Sequence, residues 1–75
     1  MRYSRLEQLV IGATHYGRVL ELRPGDAYAH NNLAVLLYRL GDVGGAWEHA
    51  ERARELGLAI APAFLRVLDE KRASR

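Results

Sequence analysis

His15, His30 and His49 are the side chains in this sequence best suited to acid-base chemistry or metal ligation. Their spacing supports neither use. His15 and His49 stand 34 residues apart, no HExxH-type pair is present, and there is no cysteine to supply a thiolate. His30 falls on an apolar helix face and is expected to be a packed imidazole with one hydrogen bond. The hydroxyls of Ser4, Thr14 and Ser74 lack the His and carboxylate partners that a nucleophile needs. Gly41, Gly44 and Gly45 are not followed by the Lys and Ser or Thr that complete a phosphate-binding loop. The expectation is a protein that is not an enzyme and holds no metal or cofactor.

The elements that must position the remaining candidates are helical throughout. Ser4 and Glu7 have the spacing of a capping box. After them Leu6, Leu9, Val10, Ala13, Tyr16, Val19 and Leu20 recur at steps of three and four, which predicts a first helix over about 5–22. Pro24-Gly25-Asp26 breaks it and caps a second helix over about 27–40; Gly41-Asp42 does the same before a third over about 43–56. In the third helix Glu48 and Arg52 are expected to pair at i,i+4, for roughly 0.2–0.5 kcal/mol. Gly57 caps it, an apolar linker from Leu58 to Ala61 follows, and Pro62 opens a fourth helix over about 61–71, with Ala73 to Arg75 frayed. The reading is a single all-α domain of antiparallel helical hairpins covering residues 1–75.

The 75 residues and 8.4 kDa make a deep catalytic cavity an unsuitable expectation, because a chain of this size hides only about 60% of its unfolded surface. The net charge of +2 is spread as +2, −2 and +2 over residues 1–24, 25–57 and 58–75, so no concentrated basic stripe appears. The longest weakly polar run, Leu58 to Leu65, is far shorter than the roughly 20 residues of a membrane span. No apolar segment follows Arg2 and Arg5 as a secretory leader would require, and a cytoplasmic protein without membrane association is the expectation.

Sliding the sequence against itself brings residues 12–22 onto 46–56 at an offset of 34, with His, Arg, Glu and Leu identical at four of eleven positions and Gly12 facing Ala46. That period is the length of one tetratricopeptide repeat, a helix-turn-helix unit. Residues 27–60 resemble this repeat: His30, Leu33, Ala34 and Leu37 stand where the family places an aromatic, a Leu, a small and a large residue. Gly41-Asp42 matches its inter-helix turn, and Ala46, Ala50 and Ala53 match its small-residue ridge. Glu21-Leu22-Arg23-Pro24 is similar to the Glu-Leu-Asp-Pro ending of a preceding repeat. The resemblance covers about residues 8–68 and implies a fragment of a right-handed superhelix of about four helices. The departures are His30 for the usual Trp, Ala50 for Phe or Tyr, and Leu58 for the closing Pro, so a thin core is expected.

On a wheel of 100° per residue, Tyr28, Asn31, Val35 and Tyr38 lie opposite the core stripe of the second helix, with Arg39 its only charge. The resemblance implies that the first helix of each repeat lines a concave groove that receives peptides. Asn32 and Arg66, one repeat apart, look like two members of a carboxylate clamp whose lysines are missing here. Tyr28, Asn31, Asn32, Val35, Tyr38, Arg39 and Arg66 are therefore the candidate partner-binding residues, although the stripe also suits intramolecular core. Trp47 flanks the small-residue seam, in the core or at an interface. The function expected is a protein-protein interaction or assembly module for a peptide, a helix or a second subunit. Homo-oligomerisation is expected through the fourth helix or the linker, since repeat units generally need about three copies to bury a continuous core. The rival reading is a small basic helical nucleic-acid binder using Arg2, Arg5, Arg18 and Arg23 with Arg66, Lys71, Arg72 and Arg75; the scattered charge ranks it second.

Overall fold

A computed structural model describes residues 2–74 as four α-helices: α1 (Arg5–Leu22), α2 (Ala27–Arg39), α3 (Val43–Glu55) and α4 (Pro62–Ala73). No strand occurs among the described residues. Each boundary has a local cause. Ser4 accepts the Glu7 N-H at 3.1 Å and the Glu7 carboxylate accepts the Ser4 N-H at 3.1 Å, closing the capping box on α1. Hydrogen bonding from Ser4 to the carboxylate, by its backbone N-H first and its side chain second, also holds the Glu7 carboxyl below its usual range. Asp26 and Asp42 cap α2 and α3 through the N-H groups of Ala29 and Gly45. Gly41 and Gly57, at φ of 91° and 99°, occupy the left-handed conformation that only glycine adopts without strain, and stop α2 and α3.

Four ends differ from expectation. Leu40 and Leu56 are C-caps rather than last helical residues, while α4 starts at Pro62 and continues through Ala73. The longer α4 is supported by Arg72, whose guanidinium donates to Asp69 at 2.8 Å and also lies 4.3 Å from the Trp47 ring centroid. The Glu48–Arg52 pair does not form. Arg52 lies instead 3.9 Å from Glu55, and Glu51 takes Arg54 at 2.8 Å. All of these are surface pairs, with only Glu51 half-buried, worth a few tenths of a kcal/mol, so small differences in side-chain placement decide between them.

Consecutive helices pack pairwise, α1 on α2, α2 on α3 and α3 on α4, in a slab of 37 × 30 × 18 Å. Two helix diameters of about 10 Å fill that thickness, so the core is one seam deep. Its centre is Ala34, Ala46, Ala50 and Leu68, all fully buried, ringed by Leu37, Tyr38, Val43, Trp47, Phe64 and Leu65. Small side chains let the three backbones approach, and Leu68 fills the space that remains. The α1–α2 seam uses the same device: a Cβ at Gly12 would stand 3.0 Å from Leu36 Cδ1. Gly12 and Ala46, equivalent at the 34-residue offset, are thus small because each faces a close neighbour.

Candidate partner-binding surface

Helix α2 is covered on three sides. Leu36 meets Gly12 of α1, Ala34 joins Ala46 and Ala50 of α3, and Tyr38 meets Phe64 of α4 edge to face at 5.9 Å. On the helical wheel the arc left between the α4 and α1 contacts carries Asn31, Val35, Tyr28, Arg39 and Asn32 in angular order. Tyr28 is 70% exposed, Arg39 is exposed, and Asn31, Asn32 and Val35 are half-buried. Five of the seven candidates therefore share one uncovered strip. Tyr38 lies at its edge and is committed to the contact with Phe64. Arg66 is exposed and lies around α4 from the fully buried Leu68, on the side away from the core. Where the strip borders α1 it opens into a cleft of about 760 Å³ lined by Arg5, Gln8, Leu9, Leu36 and Arg39. Arg5, Gln8 and Leu9 carried no sequence signal for this role, because only the antiparallel α1–α2 pairing brings them beside Arg39.

The second feature is a histidine pair. His30, buried at 8% exposure, places Nε2 2.8 Å from the Pro24 carbonyl oxygen and Nδ1 2.9 Å from Nδ1 of His49, with the rings stacked at 5.1 Å. A carbonyl only accepts, so Nε2 of His30 carries a hydrogen. In the neutral pair Nδ1 of His30 is then the acceptor and Nδ1-H of His49 the donor. His30 makes two hydrogen bonds where one was expected, tying the α1–α2 turn to α3. The partner was not legible because it stands 19 residues away in another helix.

One added proton fits this pair as an imidazolium donating to a neutral imidazole; two do not, because two Nδ1-H donors would then face each other. Burial, and then the neighbouring His30, push the proton affinity of His49 down, against the weaker opposing pull of Glu48 and Asp42. The unfolded chain consequently binds the proton at higher pH than the folded one. Its contribution to stability is complete above about pH 6.5 and is lost progressively as pH falls below that value. At most one proton separates the two states here, so stability falls by no more than about 1.4 kcal/mol per pH unit, and solvent screening at half-buried His49 keeps the loss below that ceiling. Thermal melts between neutral and mildly acid pH should show a falling midpoint. His49→Asn, which retains a donor near the Nδ1 position, should flatten that slope; an unchanged slope would dissociate it from the pair.

Among the described residues no three His, Asp or Glu side chains converge as metal ligands, and no helix is long and apolar enough to cross a membrane. Comparison of the chain with models of known protein families finds no match, and comparisons with curated proteins and with solved structures find none either. The likeness to tetratricopeptide repeats thus stands on the residues quoted above.

Proposed function

We propose that the chain is a non-enzymatic, tetratricopeptide-like interaction module that receives a partner peptide, helix or second subunit along the uncovered strip of α2. The observation that carries this reading is the strip itself: Tyr28, Asn31, Asn32, Val35 and Arg39 combine apolar and hydrogen-bonding groups between walls made by α1 and α4. An aromatic and a Val supply apolar contact while two amides and a guanidinium orient an extended backbone, the combination that peptide grooves use. Arg5 and Arg39 at the cleft favour an acidic partner end. Each large apolar side chain contributes roughly 1.5–3 kcal/mol when fully buried, so Tyr28 and Val35 together offset only the low end of the roughly 4–15 kcal/mol cost of association. The α1 wall must take part in any tight complex.

Peptides selected from a random display library provide the probe. A selected peptide titrated into isotope-labelled chain should perturb amides over Tyr28 to Arg39, and Tyr28→Ser with Val35→Asp should abolish binding with helix content retained. Perturbations confined to α3 would remove the reading. Tight oligonucleotide binding with a steep salt dependence would replace it with the nucleic-acid alternative.

A further inference from the structure

We propose that the outward face of α1 is a self-association surface on which a second copy of this chain docks, α1 against α1, antiparallel about a two-fold axis. The exposed large hydrophobics among the described residues are Tyr3, Leu6, Val10, Ile11, Leu22 and Tyr28, every one on α1, beside it, or in the first turn of α2. The opposite end of the slab differs: α4 presents Arg66, Asp69, Glu70, Lys71 and Arg72 to solvent, and Leu58 and Ile60 of the linker are half-buried. A solenoid closes at an end with a polar outer face and remains sticky at an apolar one. Self-association therefore belongs to α1 rather than to the fourth helix and linker that the sequence pointed to.

The occupant is specified by charge and shape. Glu7, Val10, Ile11, Thr14 and Arg18 share the outward side of α1 on the helical wheel. A two-fold axis midway between residues 12 and 13 sets Glu7 of one copy against Arg18 of the other, twice per dimer, and sets Ile11 against Thr14. Arg18 makes no ion pair among the described residues, and Glu7 accepts the Ser4 N-H through one carboxylate oxygen, leaving the other free. A parallel pairing would instead bring Glu7 to Glu7 and Arg18 to Arg18. Thr14 presents no unmet polar group to such a seam, because its hydroxyl already donates to the Val10 carbonyl at 2.8 Å. On the same edge of the helix Leu6, 63% exposed, comes within two residues, about 3 Å along the axis, of the level of the partner's Gly17, where a Cβ would find nothing within 4 Å. Eighteen residues make a strip about 27 Å long and roughly 10–12 Å wide, about 300 Å² per copy and below the roughly 1,200 Å² total of stable interfaces, so a weak dimer, populated toward submillimolar concentration, is expected. This surface is separate from the α2 strip, and either reading can fail without the other.

Sedimentation equilibrium of the full chain from micromolar to submillimolar concentration should show a monomer–dimer equilibrium that weakens with salt. Arg18→Glu puts like charges together at both contacts and should weaken the dimer about tenfold; adding Glu7→Arg should restore most of it. Gly17→Leu separates association from folding, since Leu is the better helix former yet its side chain fills the space that the partner's Leu6 needs. That variant should melt no lower than the parent and fail to dimerise. A strict monomer at submillimolar concentration overturns the proposal, and so does a dimer indifferent to both Arg18→Glu and Gly17→Leu. A folded Glu7→Arg, Arg18→Glu chain that stays monomeric overturns it too, and if that chain loses helix content Gly17→Leu decides alone.

Discussion

Leu68→Ala is expected to destabilise the fold by about 2–5 kcal/mol, the range for emptying a fully buried Leu site. A 75-residue domain has roughly 4–11 kcal/mol in total, so the variant should be partly or largely unfolded near physiological temperature. Leu68 is the largest fully buried side chain among the described residues and the only buried residue of α4. The rest of that helix has little else to hold it. Ala61 at its N-cap supplies no side-chain hydrogen bond, and Phe64 and Leu65 reach the core only from the side. Urea titration followed by circular dichroism measures the loss, and native-state hydrogen exchange should show α4 opening first. A midpoint shift equivalent to less than about 1 kcal/mol would mean that α4 is dispensable to the core.

Ala50→Phe tests the same seam from the opposite direction. Ala50 is fully buried beside Ala34, Ala46 and Leu68, and its position is one where the tetratricopeptide resemblance leads to an aromatic. Inserting a ring where three backbones already converge should cost roughly 1–3 kcal/mol. At about 4–8 °C per kcal/mol for a domain of this size, the thermal midpoint should fall visibly. Combining Ala50→Phe with Leu68→Ala offers the ring part of the space vacated by Leu68. The double variant should therefore be less destabilised than the sum of the single ones by about 0.5–3 kcal/mol. Strict additivity, or a neutral Ala50→Phe, would show that the two positions do not share one packed volume.

The α2 strip illustrates how far the sequence reaches. Tyr28, Asn31 and Val35 were readable as a second stripe because a helical period of 3.6 residues places them opposite Leu33 and Leu37, whatever surrounds the helix. Tyr38 has the same periodicity, yet it packs against Phe64, which stands 26 residues along the chain in another helix. Periodicity names the side of a helix on which a residue lies; it does not say which neighbour arrives there. The same limit hid Arg5 and Gln8, whose place beside Arg39 follows from antiparallel docking of α1 on α2.

The four helices, their caps and their glycine stops were determined by the sequence alone, because each depends on backbone groups within four residues: Ser4 on Glu7, Asp26 on Ala29, Asp42 on Gly45, and the positive φ at Gly41 and Gly57. The small residues at Gly12, Ala46, Ala50 and Ala53 were legible as well, as a requirement for close approach. Only the tertiary structure decided what approaches: Leu36 at Gly12, Leu68 between the alanines, His49 at His30, and, among the described residues, nothing at the outer face of α1. Capping and turn energies are local and act in any context. Packing, the sharing of a proton between two imidazoles, and the burial or exposure of an apolar face depend on groups far apart along the chain, and these exist only once the helices have docked.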